Sequence, residues 1–173
     1  MACNSLGKQT FALSILVCLG LATILSVTLS FLIPKAIHAD TLTVTNADDA
    51  GPGSLRQAIA TAQPGDTIDF ALTYPATITL TTGELSITQP LTIAGPGPDL
   101  LTISGNGTSR IFRVDLPGGA AQIAVTLSGL TIRGGKAAGE QGGGVWNDEI
   151  LTVSDVVFIG NEARSGGGLY NSE

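Results

Sequence analysis

The stretch TLSGLTIRGG at residues 126–135 is followed by TVSDVVFIGN at residues 152–161, and the two align without a gap at a shift of 26 residues. The hexapeptides GGGVWN (142–147) and GGGLYN (166–171) repeat in the same way at a shift of 24 residues. A period in this range is typical of proteins in which each repeat forms one coil of a stacked array. The repeats therefore predict a solenoid.

Short segments that alternate Thr or Ser with an aliphatic residue predict the strands of this solenoid. They are TLTVT (41–45), TIDF (67–70), TITLT (77–81), ELSIT (84–88), LTIAG (91–95), LLTISG (100–105), IFRV (111–114) and the longer stretches 122–135 and 150–161. Stacked as coils about 4.8 Å apart, they would bury an aliphatic column and leave threonines outside. The match of TISG (102–105) to TLSG (126–129) predicts that these two segments stack. The predicted fold class is all-β, a parallel β-helix of about five coils.

The glycine triplets predict tight corners. Glycine adopts positive φ without strain and lets two backbones approach where a Cβ would collide. Asn147 and Asn171 occupy equivalent positions in the two hexapeptides. We expect them to stack and to satisfy each other's side-chain amides. Each hexapeptide is thus predicted to form the same corner in successive coils.

One segment, GSLRQAIATAQPGDTI, has the pattern of a helix. Its apolar residues Leu55, Ile59 and Ala62 are spaced for a single helical stripe. Ser54 is a favourable N-cap, and the Pro-Gly pair at 64–65 ends the helix. We expect this helix to cover the first coil, since the end of a solenoid needs a cap over its apolar interior.

The amino terminus has the pattern of an export signal. Lys8 precedes 24 uncharged residues at positions 10–33, and a small-residue exit ends at Ala39. This predicts a signal-peptide helix within residues 1–39 that is cut before Asp40. The alternative is an uncleaved membrane anchor, because an uncharged stretch of this length can span a bilayer. Either way, we expect export to the extracellular space or the surface of a bacterial envelope.

Removal of the leader leaves 134 residues without cysteine or histidine, since Cys3, Cys18 and His38 all lie within it. The exported chain would have no disulfide, thiol nucleophile, imidazole base or Cys/His metal site. It would retain 14 acidic and 6 basic residues, a net charge of −8. No basic patch is present to attract phosphates, so we expect no nucleic-acid partner.

The segment LTVTNADDAGPGSLRQAIATAQPGDTIDF (42–70) resembles the amino-terminal CSLREA segment of bacterial surface and secreted proteins, with Gly53 and Gln57 in place of the cysteine and glutamate of that motif. In that family the segment precedes a right-handed parallel β-helix of the pectin-lyase-like class. GGGVWN, FIGN and GGGLYN resemble the GGA-I and FxxN repeats of polymorphic outer membrane proteins, with glycine in place of alanine. The resemblance covers most of residues 41–171 and implies a fold and a surface location. It carries no catalytic residue.

Pectin-lyase-like β-helices also include enzymes that act on acidic polysaccharides. A hydrolase of this kind would need two carboxylates about 5–10 Å apart. The candidates are Asp48 with Asp49, Asp66 with Asp69, Asp148 with Glu149, and Asp155. Adjacent strand residues point to opposite faces, so the adjacent pairs could converge only in loops. Turn or solvent-facing roles are favoured, because Asp is a preferred turn residue.

A polysaccharide lyase would instead need calcium-binding carboxylates and an arginine base. Four arginines are available outside the predicted helix: Arg110, Arg113, Arg133 and Arg164. No carboxylate cluster with calcium-loop spacing accompanies them. We therefore assign no catalytic residue, metal ligand or cofactor, and calcium at a turn stays an alternative. Arg56, on the predicted helix, is expected to cover apolar surface with its stem or to pair with Asp48 or Asp49.

Trp146 and Tyr170 hold the equivalent position in the two glycine-rich hexapeptides. They are expected to form an aromatic stack. Packing in the interior or at the turn is favoured. The alternative is an outward stack that contacts carbohydrate at the surface.

These features favour a non-catalytic scaffold, secreted or at the cell surface, that is adhesin-like or envelope-associated. Its expected partner is a polysaccharide or another cell-surface protein. The alternative function is a polysaccharide-active enzyme, namely a lyase, hydrolase or epimerase. Residues 40–75 are predicted to form an amino-terminal cap segment and residues 76–173 the coils.

GGGLYNSE begins a corner of the predicted solenoid rather than completing it. We therefore expect the chain to be a fragment of a longer product, with part of any site, and any carboxyl-terminal anchor, beyond Glu173. An open last coil is also expected to allow self-association, because it exposes an unpaired strand edge.

Overall fold

The structure is a computed structural model, which describes residues 39–119 and 122–172. Of the predicted leader, only Ala39 lies within these residues. The described residues form thirteen strands and one helix. They are β1 (Thr41–Val44), α1 (Leu55–Thr61), β2 (Asp66–Phe70), β3 (Ala76–Thr79), β4 (Leu85–Ile87), β5 (Leu91–Ala94), β6 (Leu101–Ser104), β7 (Phe112–Val114), β8 (Ala124–Arg133), β9 (Lys136–Gln141), β10 (Val145–Asn147), β11 (Ile150–Ile159), β12 (Glu162–Ser165) and β13 (Leu169–Asn171).

The strands form three sheets in which neighbouring strands are parallel. Sheet 1 contains β1, β2, β3, β5, β6, β8 and β11, sheet 2 has the order β4-β7-β10-β13, and sheet 3 pairs β9 with β12. Along one row of sheet 1, β1, β2, β5, β8 and β11 follow each other, so the chain makes about five coils. The predicted parallel β-solenoid with one short helix is confirmed.

Equivalent residues of successive coils lie over one another in sheet 1, as the alternating pattern predicts. The inward column consists of Ile68, Ile93, Leu127 and Val153. The first three of these side chains are fully buried. The adjacent outward column consists of Thr67, Thr92, Thr126 and Thr152. Because strand side chains alternate between faces, this register buries the aliphatic residues and leaves the threonines outside.

Strand β8 occupies two positions that earlier coils fill with two separate strands. Its first half pairs with β5, so that Thr126 lies beside Thr92. Its second half pairs with β6, so that Thr131 lies beside Thr102. Gly129, with φ +63°, lies between the two halves. The predicted stacking of TISG (102–105) on TLSG (126–129) is therefore wrong. The two segments share a pattern, but TISG belongs to β6, which pairs with the second half of β8, whereas TLSG lies in the first half of β8.

The two glycine-rich hexapeptides are more than corners. Their last three residues form β10 and β13, which pair in register in sheet 2. Strands β9 and β12 in sheet 3 also lay outside the predicted strands. The sequence of β9, KAAGEQ, is mostly exposed and has no alternating apolar pattern. Its strand conformation comes from pairing with the next coil.

The first and third glycines of the triplets are required for different physical reasons. Gly142 and Gly166 begin the two triplets with φ values of +66° and +62°, where a side chain would be strained. Gly144 has no such restriction, but a Cβ added to it would lie 2.4 Å from the Gly168 carbonyl oxygen of the next coil. In the first triplet, the third position is thus small because two coils approach closely there.

The predicted helical cap is confirmed. Ser54 is the N-cap, and its hydroxyl oxygen accepts a hydrogen bond of 3.2 Å from the Gln57 amide. Leu55, Ala58 and Ile59 are buried and belong to the same apolar core as the strands. Helix α1 contacts β1 and β4, so its apolar stripe covers the interior at the first coils.

The close approach at Gly144 predicts that Gly144→Ala lowers the free energy of unfolding by roughly 1–3 kcal/mol, because the added methyl group collides with backbone that cannot rotate away. Gly168→Ala is the matched control, since its added Cβ would have no neighbour nearer than 3.4 Å. Urea unfolding followed by circular dichroism measures both. Equal losses in the two variants would contradict the role of close approach.

Candidate functional site

One outward column of sheet 2 carries large polar and aromatic side chains. The register places Ser86, Arg113, Trp146 and Tyr170 at the same position of β4, β7, β10 and β13. On either side of this position, the inward residues of β7 and β10 are buried: Phe112, Val114, Val145 and Asn147. Since side chains alternate along a strand, the column between them faces outward.

Arg113 and Trp146 make direct contact in this column. The Arg113 guanidinium lies 4.7 Å from the centre of the Trp146 ring, within the range of a cation–π interaction. Asp115 accepts hydrogen bonds from Arg113 Nη2 at 2.9 Å and from Nε at 3.3 Å. The carboxylate thus orients the guanidinium and balances its charge. We call Arg113, Trp146 and Tyr170 the aromatic column.

The placement of the two aromatic residues decides between the two alternatives. Trp146 and Tyr170 are neighbours in register, at the spacing of adjacent strands, about 4.8 Å. Both are half-buried rather than enclosed, and neither belongs to the apolar core. Of the favoured packing in the interior or at the turn, the interior position is not the one observed, because Val145 of β10 points inward instead. The outward alternative describes their position.

The asparagine pair next to the aromatic column fixes its register. Asn147 Nδ2 donates a hydrogen bond of 2.6 Å to Asn171 Oδ1, as predicted for stacked asparagines. The same nitrogen donates to the Glu149 carbonyl oxygen at 2.6 Å. Asn147 is buried, so these bonds replace the water that its side-chain nitrogen loses, whereas its Oδ1 has no hydrogen-bond partner within the described residues. The bond between coils holds Tyr170 over Trp146.

A second cluster connects three coils where the strands of sheet 2 begin. Arg110 Nη1 donates to Glu84 Oε2 at 2.6 Å, and Nη2 donates to Glu140 Oε2 at 2.8 Å. Arg110 also donates to the carbonyl oxygens of Gly142 and Gln141. Only 6% of the Arg110 side chain is exposed, against 29% for Glu84 and 70% for Glu140. We call Glu84, Arg110 and Glu140 the arginine cluster.

The sequence alone did not reveal the arginine cluster. No carboxylate close to Arg110 in sequence indicates this contact, because its partners Glu84 and Glu140 lie 26 and 30 residues away along the chain. The insertion that contains residues 115–123 makes these separations unequal, so no fixed spacing signals the contact. The bonds of Arg110 to carbonyl oxygens of another coil indicate that it ties the coils together.

Most carboxylates considered as catalytic candidates have structural partners. Asp66 accepts a hydrogen bond from the Gln63 amide at 2.7 Å, as expected for a turn residue. Glu149 accepts from the Leu116 and Ile123 amides and so closes the base of the loop between β7 and β8. Asp148 accepts a hydrogen bond from the hydroxyl of Ser172. Within residues 39–119 and 122–172, no group of three or more His, Cys, Asp or Glu side chains is arranged to hold a metal ion.

Asp49 is the carboxylate with the most extensive set of bonds. Arg56 of the cap helix pairs with it at 2.7 Å, which confirms one of the two predicted partners. The backbone amides and hydroxyls of Thr81 and Thr82 donate to its Oδ2 at 2.7–2.9 Å. Burial by itself would raise the pKa of Asp49, but the hydrogen bonds from Arg56 and the two threonines outweigh it, so the pKa lies well below its usual range.

No helix in the described part of the chain has the length and apolar character needed to cross a bilayer. The predicted leader lies outside that part, so the structure does not address whether it spans a membrane. Comparison of the chain with protein-family models, curated proteins and solved structures gave no match. The aromatic column and the arginine cluster are therefore the two candidate functional sites of the described residues.

The Asp49 bonds predict a specific acid sensitivity. A carboxylate whose pKa is lowered in the folded state contributes stability above its unfolded pKa of about 4, and this contribution is lost as the pH falls below that value. Asp49→Asn should lower the free energy of unfolding at pH 7 by about 2–4 kcal/mol, because it leaves Arg56 without its carboxylate. It should also flatten the decrease in stability below about pH 4.

The matched control for this prediction is Asp48→Asn, which changes the neighbouring, exposed carboxylate. Urea unfolding at a series of pH values from 7 to about 2.5 measures both variants. If Asp48→Asn and Asp49→Asn gave the same pH profile, the bonds of Asp49 would not be the source of the acid sensitivity.

Proposed function

We propose that this protein is an exported, adhesin-like scaffold, and that it binds a polysaccharide through the aromatic column without catalysing a reaction. The observation that carries the proposal is the in-register row of Arg113, Trp146 and Tyr170 on the outer side of sheet 2. The interior of the solenoid is filled by side chains, so ligands would be met on its outer faces.

The chemistry of the aromatic column suits a sugar. A pyranose has an apolar face of C–H groups and a rim of hydroxyls. The negatively polarised faces of the aromatic rings can pack against the C–H groups. The indole N–H, the phenol O–H and the guanidinium can donate hydrogen bonds to the hydroxyls. Successive coils repeat these groups about 4.8 Å apart, so an extended chain of sugars could contact more than one coil.

The charges around the column favour a neutral polysaccharide over a strongly acidic one. Asp115 balances the charge of Arg113, so the column has no excess positive charge. The predicted exported chain carries a net charge of −8, which repels polyanions at low salt. A neutral glycan needs no excess positive charge to bind, and it is not repelled by the negative charge of the protein.

Export and display at the cell surface form part of the proposal. They are supported by the leader-like pattern before Asp40 and by the resemblance of residues 42–70 to CSLREA segments. The glycine-rich and FxxN repeats resemble those of polymorphic outer membrane proteins. In those families such segments belong to pectin-lyase-like β-helices at the bacterial surface, which is the setting that we propose here.

We expect the fluorescence of the protein to change when it binds a neutral polysaccharide, because Trp146 is the only tryptophan of the chain. Titration with soluble neutral glucans, galactans and mannans, and with polyuronates for comparison, gives the apparent affinity. Tyr170→Ala should weaken binding of the preferred glycan by roughly tenfold or more, since central aromatic contacts dominate such interfaces. Trp146→Ala, measured by calorimetry, should have an effect at least as large.

Val157→Ala is the control for surface truncation. Val157 is 42% exposed on sheet 1, away from the aromatic column. The Val157→Ala substitution should leave the affinity for the glycan unchanged. If no glycan altered the fluorescence, or if Val157→Ala and Tyr170→Ala weakened binding equally, the proposed binding surface would be wrong.

A second candidate function rests on the arginine cluster. Two glutamates converge on one guanidinium, and the largely exposed Glu140 can reach a ligand. Such an arrangement could act on a polysaccharide as a hydrolase does, with carboxylates on both sides of a glycosidic bond. The scaffold is preferred, because the bonds of Arg110 to backbone carbonyls account for the cluster without a substrate.

The two functions differ in a product assay. We expect neither new reducing ends nor unsaturated sugars when the purified protein is incubated with neutral glycans or polyuronates. Release of such products by the wild-type protein, and its loss in Glu140→Gln, would replace the scaffold with the enzyme. Lys136→Gln is a matched control, because Lys136 pairs with Glu162 at another, exposed place in sheet 3.

A further inference from the structure

The first described residues make an unusual contact with a buried carboxylate. Ala39 and Asp40 are both exposed and precede β1. The Asp40 backbone nitrogen donates a hydrogen bond of 2.9 Å to Asp66 Oδ1. Only 3% of Asp66 is exposed. A buried carboxylate of the second coil therefore receives the backbone nitrogen of the first residue after the predicted cleavage position.

Both sides of this contact are held in place. Asp40 is fixed at its other end as well, because its carbonyl oxygen accepts a hydrogen bond of 2.9 Å from the Thr67 amide. The other oxygen of Asp66 accepts from the Gln63 amide at 2.7 Å. In sheet 1, Asp66 is in register with Leu91, so it occupies a position that the next coil fills with an aliphatic residue. The carboxylate is thus placed where an apolar side chain would otherwise stand.

We propose that cleavage between Ala39 and Asp40 creates a new α-ammonium group that forms an ion pair with Asp66. A water molecule adds to the Ala39 carbonyl carbon and the C–N bond breaks. The leader leaves with the Ala39 carboxylate, and the Asp40 amine takes up a proton. The reaction is peptide hydrolysis by a signal peptidase of the exporting cell and needs no other co-reactant. The proposal rests on the export that forms part of the proposed function.

The cleavage would strengthen a contact that already exists. Before it, Asp40 offers Asp66 a neutral amide. After it, the same nitrogen is positively charged, so the attraction between opposite charges is added to the existing hydrogen bond. The contact between Asp40 and Asp66 should therefore be stronger in the mature chain than in the uncleaved one. Removal of the leader would thereby complete the amino-terminal end of the solenoid.

Within the described residues, few charged groups lie near this pair. The neighbouring strands β1 and β5 contain no titratable residue, and neither does the segment 62–65. The Asp40 side chain is acidic and lies beside the new terminus. Asp69 of β2 is three residues from Asp66, so alternation places it on the opposite face. Both of these groups are negative, so they also favour the protonated form of the amine.

The sign of the pH effect follows from this. An ammonium group paired with a carboxylate has a raised pKa in the folded state. Its contribution to stability is complete below the unfolded α-amino pKa of about 8, and it is lost as the pH rises through the higher folded value. The mature protein should therefore lose stability as the pH rises above about 8.

The test uses the full-length precursor, expressed with its own leader in a bacterium and purified from the exported fraction. Intact mass spectrometry should give a chain that begins at Asp40. The pH dependence of acylation of the α-amine should show a pKa above the ordinary α-amino range, and unfolding in urea should show the loss of stability in the alkaline window. Asp66→Asn should return the α-amino pKa to its ordinary range.

Insertion of one glycine between Ala39 and Asp40 provides a control that leaves every folded residue intact. The signal peptidase would still cut after Ala39, but the charge would move one residue away while Asp40 keeps its amide. This variant should lose the alkaline decrease in stability even if Asp66→Asn fails to fold. An α-amine with an ordinary pKa in the wild-type protein, or the same alkaline decrease in the glycine insertion, would overturn the ion pair.

A chain that retains its leader, or one that is cut at another bond, would also overturn the ion pair. Neither result affects the glycan titration, which reports on Trp146 at the other end of the coil stack. Conversely, a protein that begins at Asp40 with a raised α-amino pKa but binds no glycan would support the ion pair and refute the proposed ligand. The two proposals can therefore fail separately.

Discussion

The close, in-register stacking of each coil on the next is the constraint on which the rest of this protein depends. Backbone hydrogen bonds run between coils, so a strand such as β9 is held by its neighbour rather than by its own sequence. A slip by one residue would turn Thr126 inward and Leu127 outward, which would exchange the apolar core for hydroxyl groups. The corners enforce the same register, because the carbonyl of Gly168 leaves no room for a Cβ on Gly144.

Charged residues are few in this chain, and most of those with close partners link separate segments. The ion pair of Asp49 with Arg56 ties the loop before the cap helix to that helix, and the threonine bonds of Asp49 extend the link to the second coil. Arg110 links three coils at the edge of sheet 2. Charge-assisted bonds suit this task, because they are strong and directional where little apolar surface is available. Carboxylates committed to such bonds are poor candidates for catalysis.

Because each coil of a solenoid stacks on the previous one, residues that repeat along the sequence form a row on its surface. The aromatic column is such a row. Trp146 and Tyr170 are 24 residues apart along the chain, yet they lie on adjacent strands. Each coil adds one side chain to the row at a fixed distance from the last. The row also includes Arg113, whose separation from Trp146 in sequence is larger because an insertion precedes β8. A surface of this kind suits a ligand that is itself an extended chain.

The solenoid, its helical cap and the asparagine pair could be predicted from the amino-acid sequence, because each depends on a local pattern: alternation of Thr with aliphatic residues, the N-cap Ser54, and similar corners one coil apart. The sequence did not show which of two similar segments stack, since β8 spans two positions at once. Nor did it reveal the arginine cluster or the outward position of Trp146. Those features arise where different coils meet, across insertions of unequal length. They could not be predicted, because contact between coils depends on register in the folded chain and not on distance along the sequence.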